Sequence, residues 1–277
     1  MRTYEELKQV LLEVRENGFV VPAGVDVDGL IKDMLGYIGH VDAELRDRLI
    51  YSAFNTWVDS GLLGAARMRW VLAACLDEGH IFYGIGEAGT DSVFVRSFSM
   101  LVVSLAFHVQ EATPFMTAQE VAAVREALLR YVALEKDFRG YVNGKGWAHA
   151  AAHVADALAN LISCKVDGAF FCGREEVLEI LQAVQKLVCN PDSVYTAEED
   201  ERLLQVVTRA GLFLPEKEVM RWLDGFQFRI NNPWWEGNIP GAFNQHVNVK
   251  HFMRSLYFHF LGEGNDALCQ QVQNYLR

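Results

Sequence analysis

Lys145–Ile162 reads KGWAHAAAHVADALANLI. Ala151, Val154, Leu158 and Ile162 recur at the three-to-four-residue spacing of a helix, not the alternation of a strand. A helix turns about 100° per residue, which places His149, His153, Asp156 and Asn160 within about 60° of one another. The flanks of that stripe are Ala150, Ala152, Ala155, Ala157 and Ala159. Alanine lets neighbouring helices approach closely. A solvated helix face carries Lys, Glu, Gln and Arg, and none occurs from 147 to 163. The stripe is therefore expected to turn inward, where imidazole and carboxylate groups need hydrogen-bond partners.

The helical period continues in both directions. It predicts helices at about 3–16, 27–38, 42–59, 64–77, 91–111, 117–137, 147–163, 174–189, 197–212, 216–228, 245–261 and 265–276. Thr3 with Glu6, Thr117 with Glu120 and Thr196 with Glu199 have the spacing of capping boxes. Gly18, Gly79, Gly140 and Gly262 mark stops. About a dozen helices joined by short links predict an all-α fold of antiparallel hairpins. Stacked, these would form an α-α superhelix, a HEAT-like solenoid. No recurring consensus accompanies the spacing, and a closed bundle is the alternative. No stretch reads as a linker, so 1–277 is expected to be a single domain.

Helix 91–111, DSVFVRSFSMLVVSLAFHVQE, is apolar nearly all round, as an enclosed helix is. Arg96 inside it demands a carboxylate partner, because an unpaired buried guanidinium is costly. Glu87, Asp91, Asp137 and Asp156 are the candidates.

Composition narrows the function classes. Apolar residues make up 51% and charged residues 22%, as in ordinary globular chains. The net charge of −11, with no basic run longer than two, argues against nucleic acid as a partner. Five widely spaced cysteines without C-x-x-C predict buried thiols, not a disulfide framework or structural zinc. MRTYEELKQVLLEVREN lacks the basic start and apolar block of a signal peptide. The run around MLVVSLAFHV falls short of the ~20 apolar residues of a spanning helix. The expectation is a cytoplasmic protein without a membrane partner.

Three strings carry a family resemblance: GIGEAGTDSVFVRSFS (Gly84–Ser99), EKDFRGYVNGKGWAHAAAHVADAL (Glu135–Leu158) and NVKHFMRSLYF (Asn248–Phe258). Together they resemble the bacterial domain-of-unknown-function 2785 family, over about 50 to 263. The resemblance implies a bacterial, cytosolic, all-helical protein and brings no catalytic role to any position.

Three readings of the stripe stay open. The first is a polar pocket for a small molecule or a protein partner, lined by Glu87, Asp91, Arg96, Asp137, Arg139, Trp147, His149, His153 and Asp156. In it, the glycine-punctuated loop DFRGYVNGKGW sets Asp137, Arg139, Lys145 and Trp147 at the mouth above His149. The second is a divalent-metal-assisted hydrolase. His149 and His153 at i and i+4 would hold the ion, with Asp156 as third ligand, and a bound water would attack. A relative of this reading pairs Asp156 with His153 as orienter and general base. No H-E-x-x-H string supports it. The third is a purely structural hydrogen-bond network.

Late in the chain, FQFRINNPWWEGNIPGAFNQHVNVKHFMRSLYF begins at Phe226. Pro233, Gly237, Pro240 and Gly241 break the helical pattern. Trp234, Trp235 and Phe243 supply rigid apolar surface for a lid, or for a cap on the last helices. His246 and His251, five apart, do not share a helix face. GIGEAG lacks the preceding strand of a dinucleotide site, and Cys164 has no evident base.

Overall fold

In the computed structural model the described residues are 1–226 and 236–276. Among them 65% are helical, in 12 α-helices with only tiny strand pairs, and the fold is all-α. The helices are α1 Tyr4–Glu16, α2 Val27–Gly36, α3 Ser52–Asp59, α4 Ala65–Cys75, α5 Ser92–Ala112 and α6 Ala118–Leu134. They continue with α7 Ala150–Ser163, α8 Arg174–Val188, α9 Glu199–Ala210, α10 Glu216–Asp224, α11 Gly241–Gly262 and α12 Asp266–Leu276. A π-helical stretch, Glu44–Tyr51, leads without a break into α3. Two antiparallel hairpins complete the structure: β1 Tyr141–Val142 with β2 Gly146–Trp147, and β3 Lys165–Val166 with β4 Ala169–Phe170. The part of the expected helix 216–228 beyond 226 lies outside the described residues, as do Pro233, Trp234 and Trp235.

The capping boxes at Thr3/Glu6 and Thr117/Glu120 form as their spacing predicts. The third does not. Glu198 takes a left-handed conformation at the N-cap of α9, and the Glu199 carboxylate accepts from the Ala197 N–H instead. The histidine helix also begins later than its pattern suggests, at Ala150 and not near 147. Residues 141–147 form the β1–β2 hairpin, whose glycines at 144 and 146 have φ of +75° and +82°. Gly146 is required twice over, because a Cβ there would also lie 2.8 Å from the Cβ of Ala43.

Alternate helices pack on one another. α5, α7, α9 and α11 lie side by side in chain order, while α6 packs on α8 and α10 on α12. α6 and α8 also contact α7, and α3, α4 and the π-helical stretch contact α5. The alanine flanks of α7 serve this arrangement: Ala150, Ala152, Ala155, Ala157 and Ala159 are all buried. Its apolar side, with Ala151, Val154, Leu158 and Ile162, is buried as well.

α5 has 21 residues and a mean hydropathy of 1.7, enough by length and composition to cross a membrane, which corrects the shorter reading of its apolar run. It is a core helix, with 83% of its apolar window buried inside the protein. Arg96 within it is fully buried and paired, but its carboxylate is Glu135, not one of the four expected candidates. The pair is bidentate, Nε to Oε2 at 2.6 Å and Nη2 to Oε1 at 2.9 Å. Nη1 donates to the Tyr83 and Gly84 carbonyls and the Ser92 hydroxyl, and Nη2 also to the Glu87 carbonyl. The backbone N–H groups of Lys136 and Asp137 complete the carboxylate. One guanidinium thus joins the turn before α5 to the segment after α6. Leaving one partner of such a pair alone in the core costs about 3–5 kcal/mol. Arg96→Ala and Glu135→Ala should each lower unfolding free energy by about that much in urea titrations. The double variant should lose clearly less than the sum of the two.

Candidate functional site

The residues expected to line one pocket fall into two networks. The first lies at the start of α5. The exposed Glu87 carboxylate accepts from Thr90 and Ser92, and these bonds hold it below the usual range. Asp91 takes both arms of an ion pair from Lys145, at 2.6 and 2.7 Å. Asp137, buried, accepts from the Gly89 N–H and clamps Arg139, whose Nη2 reaches the Thr90 carbonyl. With Arg96–Glu135 these groups are committed to one another. They tie loops together and do not line the histidine stripe.

The second network is the stripe, and it stitches α7 to both neighbours. Toward α5, His153 Nδ1 lies 2.9 Å from the Ser97 carbonyl. A carbonyl only accepts, so Nδ1 carries the proton and Nε2 the lone pair. Asn160 Nδ2 donates to Ser104 and to His108 Nε2. Toward α9, Asp156 accepts from Arg202 at 2.9 and 3.1 Å, and Ser163 from Arg209 at 2.7 Å.

His149 departs from the pattern. As the N-cap of α7 it has φ 53°, a left-handed conformation uncommon for a side chain with a Cβ. Its Nε2 is buried without a hydrogen-bond partner. The nearest anion, Glu199 Oε1, stands 3.8 Å away, too far for a hydrogen bond. Two of the four non-glycine residues with positive φ among the described residues, His149 and Glu198, therefore lie at this one His–Glu contact. Such backbone strain persists only where surrounding structure enforces it, and it gathers at functional sites. Gly140 opens the space beside them: a Cβ there would lie 3.1 Å from Glu199 Oε1 and 3.8 Å from the His149 ring.

Aromatic rings continue from the surface to the core. Tyr141 meets Trp147 edge-on at 5.0 Å, and Trp147 stacks on His149 at 4.2 Å. His149 meets His153 at 5.9 Å, and His153 meets Phe98 at 5.5 Å, both edge-on. Exposure falls from 59% at Tyr141 and 39% at Trp147 to 2% at Phe98. Beneath the hairpin lies Arg46, fully buried, its guanidinium 4.1 Å from the Phe94 ring and 4.7 Å from Phe98. It donates to the carbonyls of His40, Lys145 and Trp147, and no carboxylate pairs with it among the described residues. Burial pulls it down to about 10.

Burial also sets the protonation of the stripe. It depresses His149 to about 4, with the charge of Arg202 adding to the effect. It depresses His153 to about 3, reinforced by His149. Asp156 and Glu199 are pushed up by burial, against the pull of Arg202 on the first and of backbone N–H groups on the second. At neutral pH the imidazoles are uncharged. For a metal, the lone pair on His153 Nε2 has the right form, but Asp156 is held by Arg202. Among the described residues no group of three or more His, Cys, Asp or Glu is placed to hold an ion.

Glu199, Arg202, Arg46 and Gly140 were missed by sequence reasoning. Glu199 was read as a capping residue and Gly140 as a helix stop, and Arg46 and Arg202 lie within expected helices without being singled out. No local signal distinguishes them; only the packing of α9 and the π-helical stretch against α7 and the hairpin does.

These features define a class: an all-α protein whose central helix is stitched to its neighbours by a partly buried polar stripe, with one unsatisfied histidine at its end. The family model described as protein of unknown function (DUF2785) matches residues 81–258, more than half of the chain, and the chain belongs to that family. The match takes in the whole stripe and leaves out Arg46. No curated protein and no solved structure matches the chain.

The histidines predict a pH dependence. A group whose folded value lies below the unfolded ~6.5 stabilises the fold fully above that value and loses its contribution as pH falls toward the folded one. For His153 the window runs from about 6.5 down to about 3. Between pH 7 and 5 this loss is about 2 kcal/mol. His153→Phe should flatten the fall in stability over that interval by about that amount in urea titrations at each pH. Equal slopes in the two proteins would contradict the burial of a neutral imidazole.

Proposed function

We propose that the chain is a binding module: a single domain of stacked helical hairpins in the HEAT-like manner, which presents a recognition patch at the start of α7. The patch has an aromatic rim, Tyr141 and Trp147, and a polar floor of His149 beside Glu199. Its occupant is a small polar ligand with a hydroxyl or amide group able to meet the imidazole. Packing of alternate helices supports the stacked-hairpin reading.

The observation that carries the binding reading is the buried, unpartnered Nε2 of His149. Leaving such an atom unmet costs about 1–3 kcal/mol, and the left-handed backbone adds to that cost. The rest of the stripe follows the opposite rule, each polar group meeting a partner on α5 or α9. A histidine kept against stability is better explained by recognition than by packing. The metal-assisted hydrolase reading would require Asp156 to leave Arg202, and no observation favours it.

The test pairs stability with binding. His149→Asn keeps a residue type tolerant of the left-handed backbone and removes the imidazole. Its unfolding midpoint should equal or exceed that of the native chain, whereas His153→Asn should lose about 1–3 kcal/mol with its bond to Ser97. In a thermal-shift screen of small polar metabolites, a compound that stabilises the native chain should fail to stabilise His149→Asn and Trp147→Ala. Destabilisation of His149→Asn equal to that of His153→Asn would contradict the proposal. So would a screen without a single stabilising compound.

A further inference from the structure

A cavity of about 370 Å³ opens between the ends of α6 and α8 and the loop that follows α8. Val132, Phe138 and Leu187 contribute apolar surface to its lining, and Lys136 and Lys186 bring two ammonium groups. Both lysines are exposed, in a chain whose net charge is −11. Neither lysine forms an ion pair among the described residues. Lys186 donates only to the Ala133 carbonyl, at 2.7 Å. Residues 227–235 contain no Asp or Glu that could supply a countercharge.

Two carboxylates share the lining. Glu135 is spent on Arg96 and on two backbone N–H groups. Asp192 stands outside ion-pair distance of both lysines and leaves an excess of positive charge. Burial, and then the neighbouring Lys136, hold Lys186 below the ordinary lysine range. An anion between the two ammonium groups would relieve that repulsion. The volume falls within the range of small-ligand sites, which bury an apolar body and fix it with a few polar groups.

From the paired lysines over an apolar floor, we infer that this cavity binds a small organic carboxylate with a hydrocarbon body. The carboxylate bridges Lys136 and Lys186, and the hydrocarbon lies against Val132, Phe138 and Leu187. This site shares no lining residue with the patch at His149.

Calorimetric titration of the full chain with hexanoate, 1-hexanol and inorganic phosphate tests the inference. Hexanoate should bind at least about tenfold more tightly than either other probe. Lys136→Gln, whose ammonium makes no hydrogen bond among the described residues, should weaken hexanoate by about tenfold with an unchanged unfolding midpoint. Lys186→Gln should weaken it similarly, and Lys32→Gln, elsewhere on the surface, should not. Equal affinity for hexanol, equal affinity for phosphate, no binding of hexanoate, or hexanoate binding unchanged in both cavity variants would each overturn it. His149→Asn should bind hexanoate normally, so failure here and failure of the patch are distinguishable.

Discussion

Between α5 and α9, α7 runs with alanine on both flanks, so three helices come close enough to bury His153 and to half-bury His149, Asp156 and Asn160. In that setting each buried donor or acceptor must be met or its desolvation is uncompensated. His153 is met by a carbonyl of α5, Asn160 by a serine and a histidine of α5, Asp156 by an arginine of α9. The bonds fix where α5 and α9 lie along α7. Burial then determines chemistry: uncharged imidazoles, carboxyls pushed upward, and a His149 Nε2 left unmet, as are Arg46 Nε beneath the hairpin and the Ser97 and Ser99 hydroxyls of α5.

Two buried arginines anchor the frame around this contact by different means. Arg96 is neutralised by a bidentate carboxylate and six further hydrogen bonds shared across the pair. Arg46 has no carboxylate and is held by three carbonyls and two phenylalanine rings. Two of those carbonyls belong to Lys145 and Trp147, so Arg46 sets the height of the hairpin over the stripe. Through the hairpin it also sets the stack of Trp147 on His149. The strained backbone of His149 is enforced from that side by the hairpin and from the other by α9.

The helices were legible because their signals are local. Apolar spacing, Thr3/Glu6 and Thr117/Glu120 all act within a few residues, and the inward turn of 147–163 followed from its lack of long charged side chains. What could not be read depends on tertiary contact. Glu135 lies 39 positions from Arg96, and no local pattern separates it from Asp137 two residues later. Glu199 has capping spacing, yet the left-handed turn at Glu198 redirects its carboxylate toward His149. The stretch read as a glycine-punctuated loop closes into a hairpin through glycines at 144 and 146, and the helix expected from 147 starts at Ala150, which moves His149 from a helical position to a strained cap. The stripe was therefore foreseen as a column of residues, but its division between stitching groups and one unmet histidine was not.

The claim beneath all of this is that the stripe is shielded and its imidazoles are neutral. Long-range ¹H–¹⁵N correlation spectra of histidine-labelled protein, recorded from pH 8 to 4.5, address it directly. The account predicts that His153 stays uncharged throughout as its Nδ1–H tautomer, and that His149 stays largely uncharged to about pH 5. Titration of both rings near the free-histidine value of about 6.5 would place them in water and contradict the account.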